Sequence, residues 1–572
     1  MIHVNPLVLV ALSALLAVSL SSDLIAEAHL WAVGSTEKVR ALEGRPKIHH
    51  RVWDEDTNTV TLKGARGEHV PFQLVVTALD RRLEGVTLSV SDLRDSESVL
   101  SSSQVELLLE YPVDVYATSD LRQATGLWPD ALVPLTDPFT IGPLRRGQFP
   151  YHQPVWVDIV IPKDQPPGVY EGTIAAQTKG NEIGSIRIQL TVWDFNLPNK
   201  KTMWTAFGVW PAQVAQAHNV TEDSAEHLAL MRKYYEFYLE RSMEPRDNIF
   251  LKPKWERKGN RIEIDWSSVP LEDHFLTDLQ TNYVWFWAEP DRQMGSSGDG
   301  GLSADHKDFL RKYWSEVYRH YKKKGWLDKL IIECPVNEPN SKQDYDLSRE
   351  WADLIHSVSP ELKFFVVEPI IPQDPTWGSL VGYSQVWAIH GNHIETNRDV
   401  IRERQAEGDL IHIYITCDQR PPQPNFFIDQ AAGDHRMIPW VAFKYHVSGV
   451  RYWATNYWSH VKDPWIDIVT WKHSRCYAPL AGEGSLLYPG NLVQRYTGQR
   501  NVDGPVGSLR LELLREGIED VEYLCLLERL GEKELAEELV NQLVVCIRAF
   551  TNDPERIEEA RERAARRIIS KQ

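Results

Sequence analysis

From Trp204 onward the sequence alternates apolar runs of strand length with amphipathic stretches of helical length, and this alternation is its most constraining feature. Eight runs have strand character: Trp204–Trp210, Asn248–Lys252, Tyr283–Ala288, Leu330–Val336, Phe364–Val367, Val386–His390, Leu410–Thr416 and Gly449–Thr455. Helical stretches between them include Ala225–Glu240, Asp305–Lys323 and Leu347–Ser357. Apolar strands that alternate with helices are typical of parallel β/α units, and eight units predict a (β/α)8 TIM-like barrel.

The preceding part of the chain has a different pattern. Between about residues 50 and 195, short alternating strands such as His69–Val76 and Pro154–Val160 are separated by turn residues, without long helical stretches. This spacing predicts a β-sandwich. The polar segment Asn196–Lys201 resembles a linker. We therefore expect a sandwich domain over residues 29–198 and the barrel over residues 199–504.

The C-terminal part is helical by its apolar periodicity. Apolar residues recur every three or four positions, at Leu511, Leu514, Ile518, Val521 and Cys525. A second apolar stripe begins at Leu535, and Asp553-Pro554 is typical of the start of a last, highly charged helix. We expect residues 505–572 to pack on the barrel and complete it.

The N-terminus carries an export signature. The 14 residues Leu7 to Leu20 form an apolar run that is short for a bilayer span, and the small residues of Ala26-Glu27-Ala28 follow it. This pattern predicts a signal peptide over residues 1–28 and a protein that is secreted, or directed to a periplasmic or lysosome-like compartment. No later run is apolar enough to predict a transmembrane segment in the mature chain.

Charge and spacing exclude several function classes. The 62 basic and 80 acidic side chains give a net charge of −18, which disfavours nucleic acid as a partner. The five cysteines are far apart and lack metal-ligand spacing, and His390 and His393 lack a third ligand. The glycine-rich segment Met294–Gly301 is not followed by Gly-Lys-Ser/Thr, so it is not a phosphate loop. We expect neither a metal nor a cofactor.

Polar residues at the ends of the predicted barrel strands are the candidates for chemistry, because barrel active sites lie at the C-terminal ends of the strands. The fourth strand runs into Asn337-Glu338-Pro339, and His390 ends the sixth. Aromatic residues cluster nearby: Trp453 lies within the eighth strand and Trp458 follows it. A carboxylic acid beside aromatic platforms is typical of sites that bind and cleave sugars. Glu338 is therefore the predicted proton donor.

Several longer motifs carry a family resemblance. They include Tyr414–Cys417, Val447–Trp453, Gly482–Gly490 and, most specifically, Ser508–Asp520. Upstream, Ala65–Gln73 and Leu127–Leu135 match the N-terminal sandwich of the same family. On these residues the chain resembles glycoside hydrolase family 123 and the related domain of unknown function 4091, the family of the β-N-acetylgalactosaminidases. The resemblance covers most of the mature chain.

This resemblance implies an exo-glycosidase that removes terminal N-acetylgalactosamine, with the β anomer favoured, from glycolipids or glycans. In related hexosaminidases the substrate's own 2-acetamido oxygen is the nucleophile, and it forms an oxazolinium ion. An Asp orients the acetamide and the following Glu is the general acid and base. Here the Glu is Glu338, whereas Asn337 occupies the Asp position and lacks the charge that stabilises the oxazolinium ion. The remaining candidate substrate-binding residues are Tyr414, Trp453, Trp458, Glu483, Tyr488 and His390.

Two alternatives remain open at this stage. Asp418 follows the seventh strand, and a two-carboxylate retaining mechanism would use it as the nucleophile if its carboxyl lay about 5–5.5 Å from that of Glu338. An Asx turn before Pro421-Pro422 is the competing explanation for this residue. The other alternative is a glycan-binding protein that has lost catalysis through the Asn337 change.

Overall fold

The computed structural model describes residues 28–46, 51–142, 149–290, 302–472 and 479–572. The expected signal peptide ends at the first described residue, so that prediction lies outside the described ranges, as do the glycine-rich segment at 294–301 and Cys476. The four described cysteines, Cys334, Cys417, Cys525 and Cys546, are free thiols. Within these ranges no helix is long and apolar enough to cross a membrane.

The N-terminal part consists of two β-sheets. Its strands are β1 (Ala28–Gly34), β2 (Trp53–Asp54), β3 (Thr59–Arg66), β4 (His69–Ala78), β5 (Leu83–Val90), β6 (Leu93–Arg94), β7 (Val99–Leu100), β8 (Val105–Val115), β9 (Gly126–Pro134), β10 (Phe139–Ile141), β11 (Tyr151–Val160), β12 (Gly168–Thr178) and β13 (Asn181–Asn196). One sheet contains β1-β4-β11-β8-β9 and the other β10-β5-β12-β13-β3-β2. Buried side chains from both, such as Val155 and Ile188, share one core, as a sandwich requires.

Two strands from the distant end of the chain extend the first of these sheets. They are β23 (Leu487–Pro489) and β24 (Pro505–Ser508), and β24 pairs antiparallel with β9 through Gly507 and Leu132. The sheet order is therefore β1-β4-β11-β8-β9-β24-β23. The N-terminal sandwich is consequently joined by backbone hydrogen bonds to residues that follow the parallel sheet in sequence.

The central part contains a parallel sheet of seven strands. They are β14 (Trp204–Phe207), β17 (Val284–Trp287), β18 (Leu330–Glu333), β19 (Lys363–Val367), β20 (Val386–His390), β21 (Leu410–Ile415) and β22 (Gly449–Tyr452). Their order is β14-β22-β21-β20-β19-β18-β17, and all adjacent pairs are parallel. Two hairpins lie outside it, β15 (Lys254–Lys258) with β16 (Arg261–Asp265), and β25 (Val544–Cys546) with β26 (Ala549–Phe550). Parallel β/α units are confirmed.

The second predicted strand, Asn248–Lys252, is wrong: residues Ile249–Leu251 form a 3₁₀ turn. The chain passes beside β14 slightly earlier, where Pro245 forms a single parallel bridge with Phe207. Proline has no N–H to donate to a ladder, so the pairing does not continue. On the other side, the Glu244 carboxylate accepts the Asn282 N–H at 2.8 and 3.0 Å in place of a backbone ladder. The described sheet is a parallel half-barrel rather than a closed eight-stranded barrel.

Helices connect the parallel strands and cover their outer face. They are α1 (Pro211–His218), α2 (Ala225–Glu240), α3 (Ala304–Lys324), α4 (Lys342–Val358), α5 (Arg398–Ala406), α6 (Ala432–Lys444), α7 (Val493–Thr497), α8 (Leu509–Arg529), α9 (Lys533–Leu543) and α10 (Pro554–Lys571). A serine hydroxyl accepts an N–H of the first turn of α2, α3, α4 and α8, which satisfies part of each free helix end. The prediction of α2 is confirmed to the residue. The C-terminal helices are confirmed as well, and α8 packs on α6, α9 and α10.

Candidate active site

Glu338 lies in the loop that follows β18, at the C-terminal edge of the parallel sheet. Its backbone φ is +48°, in the left-handed region that a glutamate rarely adopts. Such a conformation costs about 1–3 kcal/mol and persists only where the surrounding structure fixes it. About 40% of the Glu338 side chain is exposed. The strained backbone thus presents a partly exposed carboxyl group at the edge where barrel active sites form.

Residues from two neighbouring strands contact this carboxyl group. His390 ends β20, and its Nε2 lies 3.6 Å from Glu338 Oε1, an ion-pair distance when the imidazole is protonated. The Tyr414 hydroxyl on β21 lies close enough to the same carboxylate for each group to shift the pKa of the other. The His390 and Tyr414 rings meet edge to face with centroids 4.7 Å apart. Residues of β20 and β21 therefore lie beside the Glu338 carboxyl group.

The environment of Glu338 favours its ionised form. Burial by itself raises the pKa of Glu338, but the interactions with His390, Tyr414 and Arg451 outweigh it and hold the pKa below the ordinary value of 4.5. Burial, together with the Glu338 charge, raises the pKa of Tyr414 well above its ordinary value, so the phenol remains a donor. At neutral pH the ligand-free site therefore contains a carboxylate at position 338.

A second carboxyl group, Glu368, has the opposite tendency. It follows β19, is 3% exposed, and accepts a 2.7 Å hydrogen bond from the Tyr345 hydroxyl. Burial and, to a smaller degree, the charge of Glu338 raise the pKa of Glu368 to about 8, despite the opposing Tyr345 bond. Two carboxyl groups whose environments separate their pKa values in this way are typical of acid–base sites.

Below Glu338 the inside of the half-barrel contains buried charges. Glu333, at the end of β18, accepts hydrogen bonds from Arg451 at 2.7 Å and from Arg246 at 3.0 Å. The Arg451 guanidinium also lies 4.4 Å from the centroid of the Phe365 ring. Two guanidinium groups thus share one carboxylate here, and the charge of Arg451 is one of the influences that lower the pKa of Glu338.

Four aromatic side chains that follow β14 and β22 in sequence lie together, and we call them the aromatic wall: Trp210, Trp453, Tyr457 and Trp471. The Trp453 ring centroid lies 4.7 Å from that of Trp471 and 5.1 Å from that of Tyr457, which in turn lies 5.1 Å from that of Trp210. All four side chains are partly exposed. Partly exposed aromatic faces are suited to stacking on the C–H face of a sugar.

Comparison with family models shows to which protein family the chain belongs. Residues 280–527 match the glycoside hydrolase 123 catalytic domain, and residues 46–178 match the glycoside hydrolase 123 N-terminal domain. The chain belongs to glycoside hydrolase family 123. Glu338, Tyr414, Trp453 and the Ser508–Asp520 motif all fall within the matched catalytic domain.

One of two solved structures compared with this family 123 chain is similar enough to support its fold. A family 123 glycoside hydrolase from Clostridium perfringens, studied for the details of glycolipid glycan hydrolysis, is 16% identical with a TM-score of 0.68, and the match covers 95% of this chain and 97% of that one. A GH5 xyloglucanase from Bacteroides ovatus is 9% identical with a TM-score of 0.29, over 81% of this chain and 99% of that one, which is too distant to support an argument. No curated protein matches the chain.

The structure brings some predicted residues of this family 123 site together. His390 and Tyr414 contact Glu338, and Trp453 belongs to the aromatic wall. Asn337 is exposed beside Glu338 and makes no hydrogen bond with any described residue. Its side chain therefore remains available for a ligand. No group of three or more His, Cys, Asp or Glu side chains in the described ranges is arranged to hold a metal ion.

Other predicted residues lie outside the group. The buried Glu483 carboxylate faces Trp453, and the buried Trp458 donates its indole N–H to Ser485 at 3.1 Å. Tyr488 is buried in the sandwich core, and its hydroxyl donates to Asp130 at 2.5 Å. All three side chains are buried and bonded within the protein. Sequence order places residues after strands but does not reveal which way they point, and their assignment as sugar contacts stays a prediction.

Asp418, the alternative nucleophile, is exposed after β21. Its carboxylate accepts from the Cys417 thiol at 3.8 Å, and its backbone N–H donates to Thr416 Oγ1 at 3.3 Å. Within the described residues it makes no contact with Glu338. Sequence reasoning misses Arg246 and Glu333. For Glu333 the available signal is a charged residue at the end of an otherwise apolar strand.

Proposed function

We propose that this family 123 protein is an exported exo-glycosidase that hydrolyses terminal N-acetylgalactosaminides, with β linkages favoured, in glycolipids or glycans. The observation that carries the proposal is the placement of Glu338: a strained loop holds it at the C-terminal edge of the parallel sheet, with Tyr414 and His390 on one side. The glycolipid substrate class is taken from what the Clostridium perfringens relative hydrolyses.

The proposed reaction uses the substrate's acetamide as its nucleophile. The acetamide oxygen bonds to the anomeric carbon while the glycosidic C–O bond breaks, and Glu338 gives its proton to the departing oxygen. Water then attacks the anomeric carbon of the oxazolinium ion, and the bond between that carbon and the acetamide oxygen breaks, which restores the neutral acetamide. The attacking water gives a proton back to Glu338. The Asn337 amide orients the acetamide by hydrogen bonding, which its exposed position beside Glu338 supports.

The protonation state of Glu338 sets a condition on this reaction. Its pKa lies below 4.5 in the ligand-free protein, so a neutral solution contains mostly the carboxylate, which is the form needed for the second step. A bound sugar removes water from the carboxyl group, and further burial raises a carboxyl pKa. We therefore expect the acid form to accumulate on substrate binding or at acidic pH.

Hydrolysis of p-nitrophenyl glycosides tests the proposal, with both anomers and with or without the 2-acetamido group. We expect release of nitrophenol from the β-N-acetylgalactosaminide and none from the β-galactoside, which lacks the nucleophile. A thiazoline that mimics the oxazolinium ion should inhibit strongly. Equal hydrolysis of both β substrates, without thiazoline inhibition, would favour a protein nucleophile instead.

The two alternatives give different results in the same assay. Asp418 as nucleophile is less well supported, because its carboxylate is exposed and contacts Cys417 rather than Glu338; loss of turnover in Asp418→Asn would restore it. A non-catalytic glycan-binding protein is favoured by one specific observation, the neutral Asn337 beside an ionised Glu338. That protein would bind N-acetylgalactosamine in calorimetry without releasing nitrophenol.

A further inference from the structure

The loop Gly482–Gly484 lies directly behind the aromatic wall and bonds to three parts of it. The Glu483 carboxylate accepts the Trp453 indole N–H at 2.6 Å. The Tyr457 N–H donates to the Gly484 carbonyl at 2.8 Å, and the Thr470 hydroxyl, next to Trp471, donates to the Glu483 carbonyl at 2.7 Å. One short loop therefore supports Trp453, Tyr457 and Trp471 together.

Gly482 and Gly484 have no room for a side chain, because other side chains lie very close to their Cα atoms. Gly482 has a φ of +80°, and a Cβ there would lie 2.6 Å from Arg510 Nη1. Gly484 has a φ of +70°, and a Cβ there would lie 2.5 Å from Trp453 Cζ2. Real Cβ atoms do not approach other atoms so closely, and L side chains seldom adopt this backbone conformation. The Gly-Glu-Gly sequence thus allows the loop to fit between the Arg510 guanidinium and the Trp453 ring.

The loop is anchored by Arg510, which is fully buried at the start of α8. Arg510 donates to the Gly482 carbonyl at 3.1 Å and to the Ser485 carbonyl at 2.7 Å. Its Nε and Nη2 donate to the two oxygens of the buried Asp130 carboxylate on β9, at 2.7 Å each. Asp130 also accepts from the Tyr488 hydroxyl. A continuous set of bonds therefore leads from the N-terminal sandwich to the wall of the site.

The hydrogen bond between the Trp453 indole and the Glu483 carboxylate connects this set of bonds to the aromatic wall. Glu483 is completely buried, and it also accepts from the Tyr452 hydroxyl at 3.2 Å. An indole N–H bonded to a carboxylate is held more firmly than one bonded to a neutral group. The Trp453 ring has therefore lost much of its rotational freedom before any ligand arrives, which lowers the entropy that a stacking ligand must remove.

We propose that Glu483 is a positioning residue: with its loop anchored through Arg510 to Asp130, it holds the Trp453 ring in the orientation that stacks on a pyranose ring at the mouth of the site. This inference rests on the proposed function for the identity of the sugar, and it assigns to Glu483 a role behind the wall instead of a contact with a sugar hydroxyl. It also makes the N-terminal sandwich part of the support of the site.

Three variants of the full chain test the proposal in kinetics on the aryl glycoside. Glu483→Leu removes the acceptor and is expected to raise KM about tenfold while kcat changes less than about threefold, because stacking binds ground state and transition state alike. Glu483→Gln retains an acceptor oxygen for the indole and is expected to remain within about threefold of the unaltered protein in both constants. Gly484→Ala pushes against the Trp453 ring and should raise KM as Glu483→Leu does.

Gly531→Ala is the matched glycine control. Gly531 also has a φ of +80°, but a Cβ there would meet nothing within 4 Å, so this variant carries the same backbone strain without a clash. We expect unchanged KM and kcat. Should Glu483→Leu fail to fold, the comparison of Gly484→Ala with Gly531→Ala decides the question by itself.

A readout without turnover separates this proposal from the proposed function. The ¹⁹F spectrum of protein labelled with 5-fluorotryptophan contains one resonance that disappears in Trp453→Phe, and this resonance reports the Trp453 ring. We expect it to be a single sharp line in the unaltered protein and in Glu483→Gln, and shifted or broadened in Glu483→Leu and Gly484→Ala. An absence of hydrolytic activity would refute the proposed function, but the ¹⁹F spectrum would still test the positioning role of Glu483. An unchanged Trp453 line in both perturbing variants would overturn the positioning role, as would an equal KM increase in Glu483→Gln and Glu483→Leu.

Discussion

Arg451 on β22 donates a 2.7 Å hydrogen bond to Glu333 on β18, although three other strands separate β22 from β18 in the sheet. The contact therefore crosses the inside of the parallel sheet instead of running along it. It shows that the seven strands curve around a common interior. The positive charge of Arg451 is one of the influences that favour the carboxylate form of Glu338.

The first prediction concerns that charge. Since the pKa of Glu338 lies below 4.5, kcat/KM for a substrate whose leaving group needs a proton should fall as pH rises through that pKa. Arg451→Met removes the interior charge, so the pKa of Glu338 should rise and this limb of the profile should move to higher pH. Arg451→Lys retains the charge and should leave the limb closer to its original position. Identical profiles for the Met and Lys variants would contradict the electrostatic role.

Glu368 gives a prediction about stability. Burial raises its pKa from 4.5 to about 8, so between these values the folded protein retains a proton that the unfolded chain releases. Stability is therefore lost as pH rises through this window, by about 4 kcal/mol at pH 8. Glu368→Gln does not titrate, and we expect it to raise the urea midpoint at pH 8 but not at pH 4. Glu534→Gln, an exposed position on α9, is the control and should change neither midpoint.

The Asn337 side chain gives a prediction about rate. Asn337→Asp places a negative charge beside the site, which stabilises the positive oxazolinium ion and also raises the pKa of Glu338 through like-charge repulsion. Both effects help the first step. We expect kcat on the β-N-acetylgalactosaminide to increase about tenfold or more, with KM nearly unchanged. A lower kcat in Asn337→Asp would show that the amide is adapted to a different substrate group.

The pair of Asp130 and Arg510 gives a prediction about assembly. Both side chains are fully buried, so Asp130→Asn leaves the guanidinium without its counter-charge and should cost about 3–5 kcal/mol of stability. The unfolding temperature should fall by several degrees. Asp346→Asn breaks only exposed pairs and should leave it nearly unchanged. If both variants melt alike, the sandwich is not held to the site by this pair.

Much of the fold was accessible from sequence because periodic patterns report burial. The helix Ala225–Glu240 was predicted to the residue, since its polar and apolar faces alternate clearly and Ser224 caps it. The strand expected at Asn248–Lys252 failed because Pro245 and the Glu244 carboxylate take over the pairing by individual contacts. The spacing of apolar residues in a sequence cannot show where a side chain takes the place of a backbone group as a hydrogen-bond partner.

The candidate site was accessible only in part. Glu338 and His390 follow from their places at strand ends, because parallel strands bring those ends to one edge, whereas Tyr414 follows from the family resemblance. Tyr488 and Glu483 were placed among the sugar contacts, whereas they point into the sandwich core and behind Trp453. The difference lies in side-chain direction within an irregular loop, which depends on tertiary partners far away in sequence.

The central claim, that Glu338 protonates the departing oxygen, is tested most directly by comparing leaving groups in Glu338→Gln. The account predicts a 10²–10⁴-fold loss of kcat/KM on a disaccharide, whose leaving oxygen needs a proton, and a much smaller loss on a 2,4-dinitrophenyl glycoside, whose leaving group does not. Unreduced activity on the disaccharide, or an equal loss on both substrates, would contradict it.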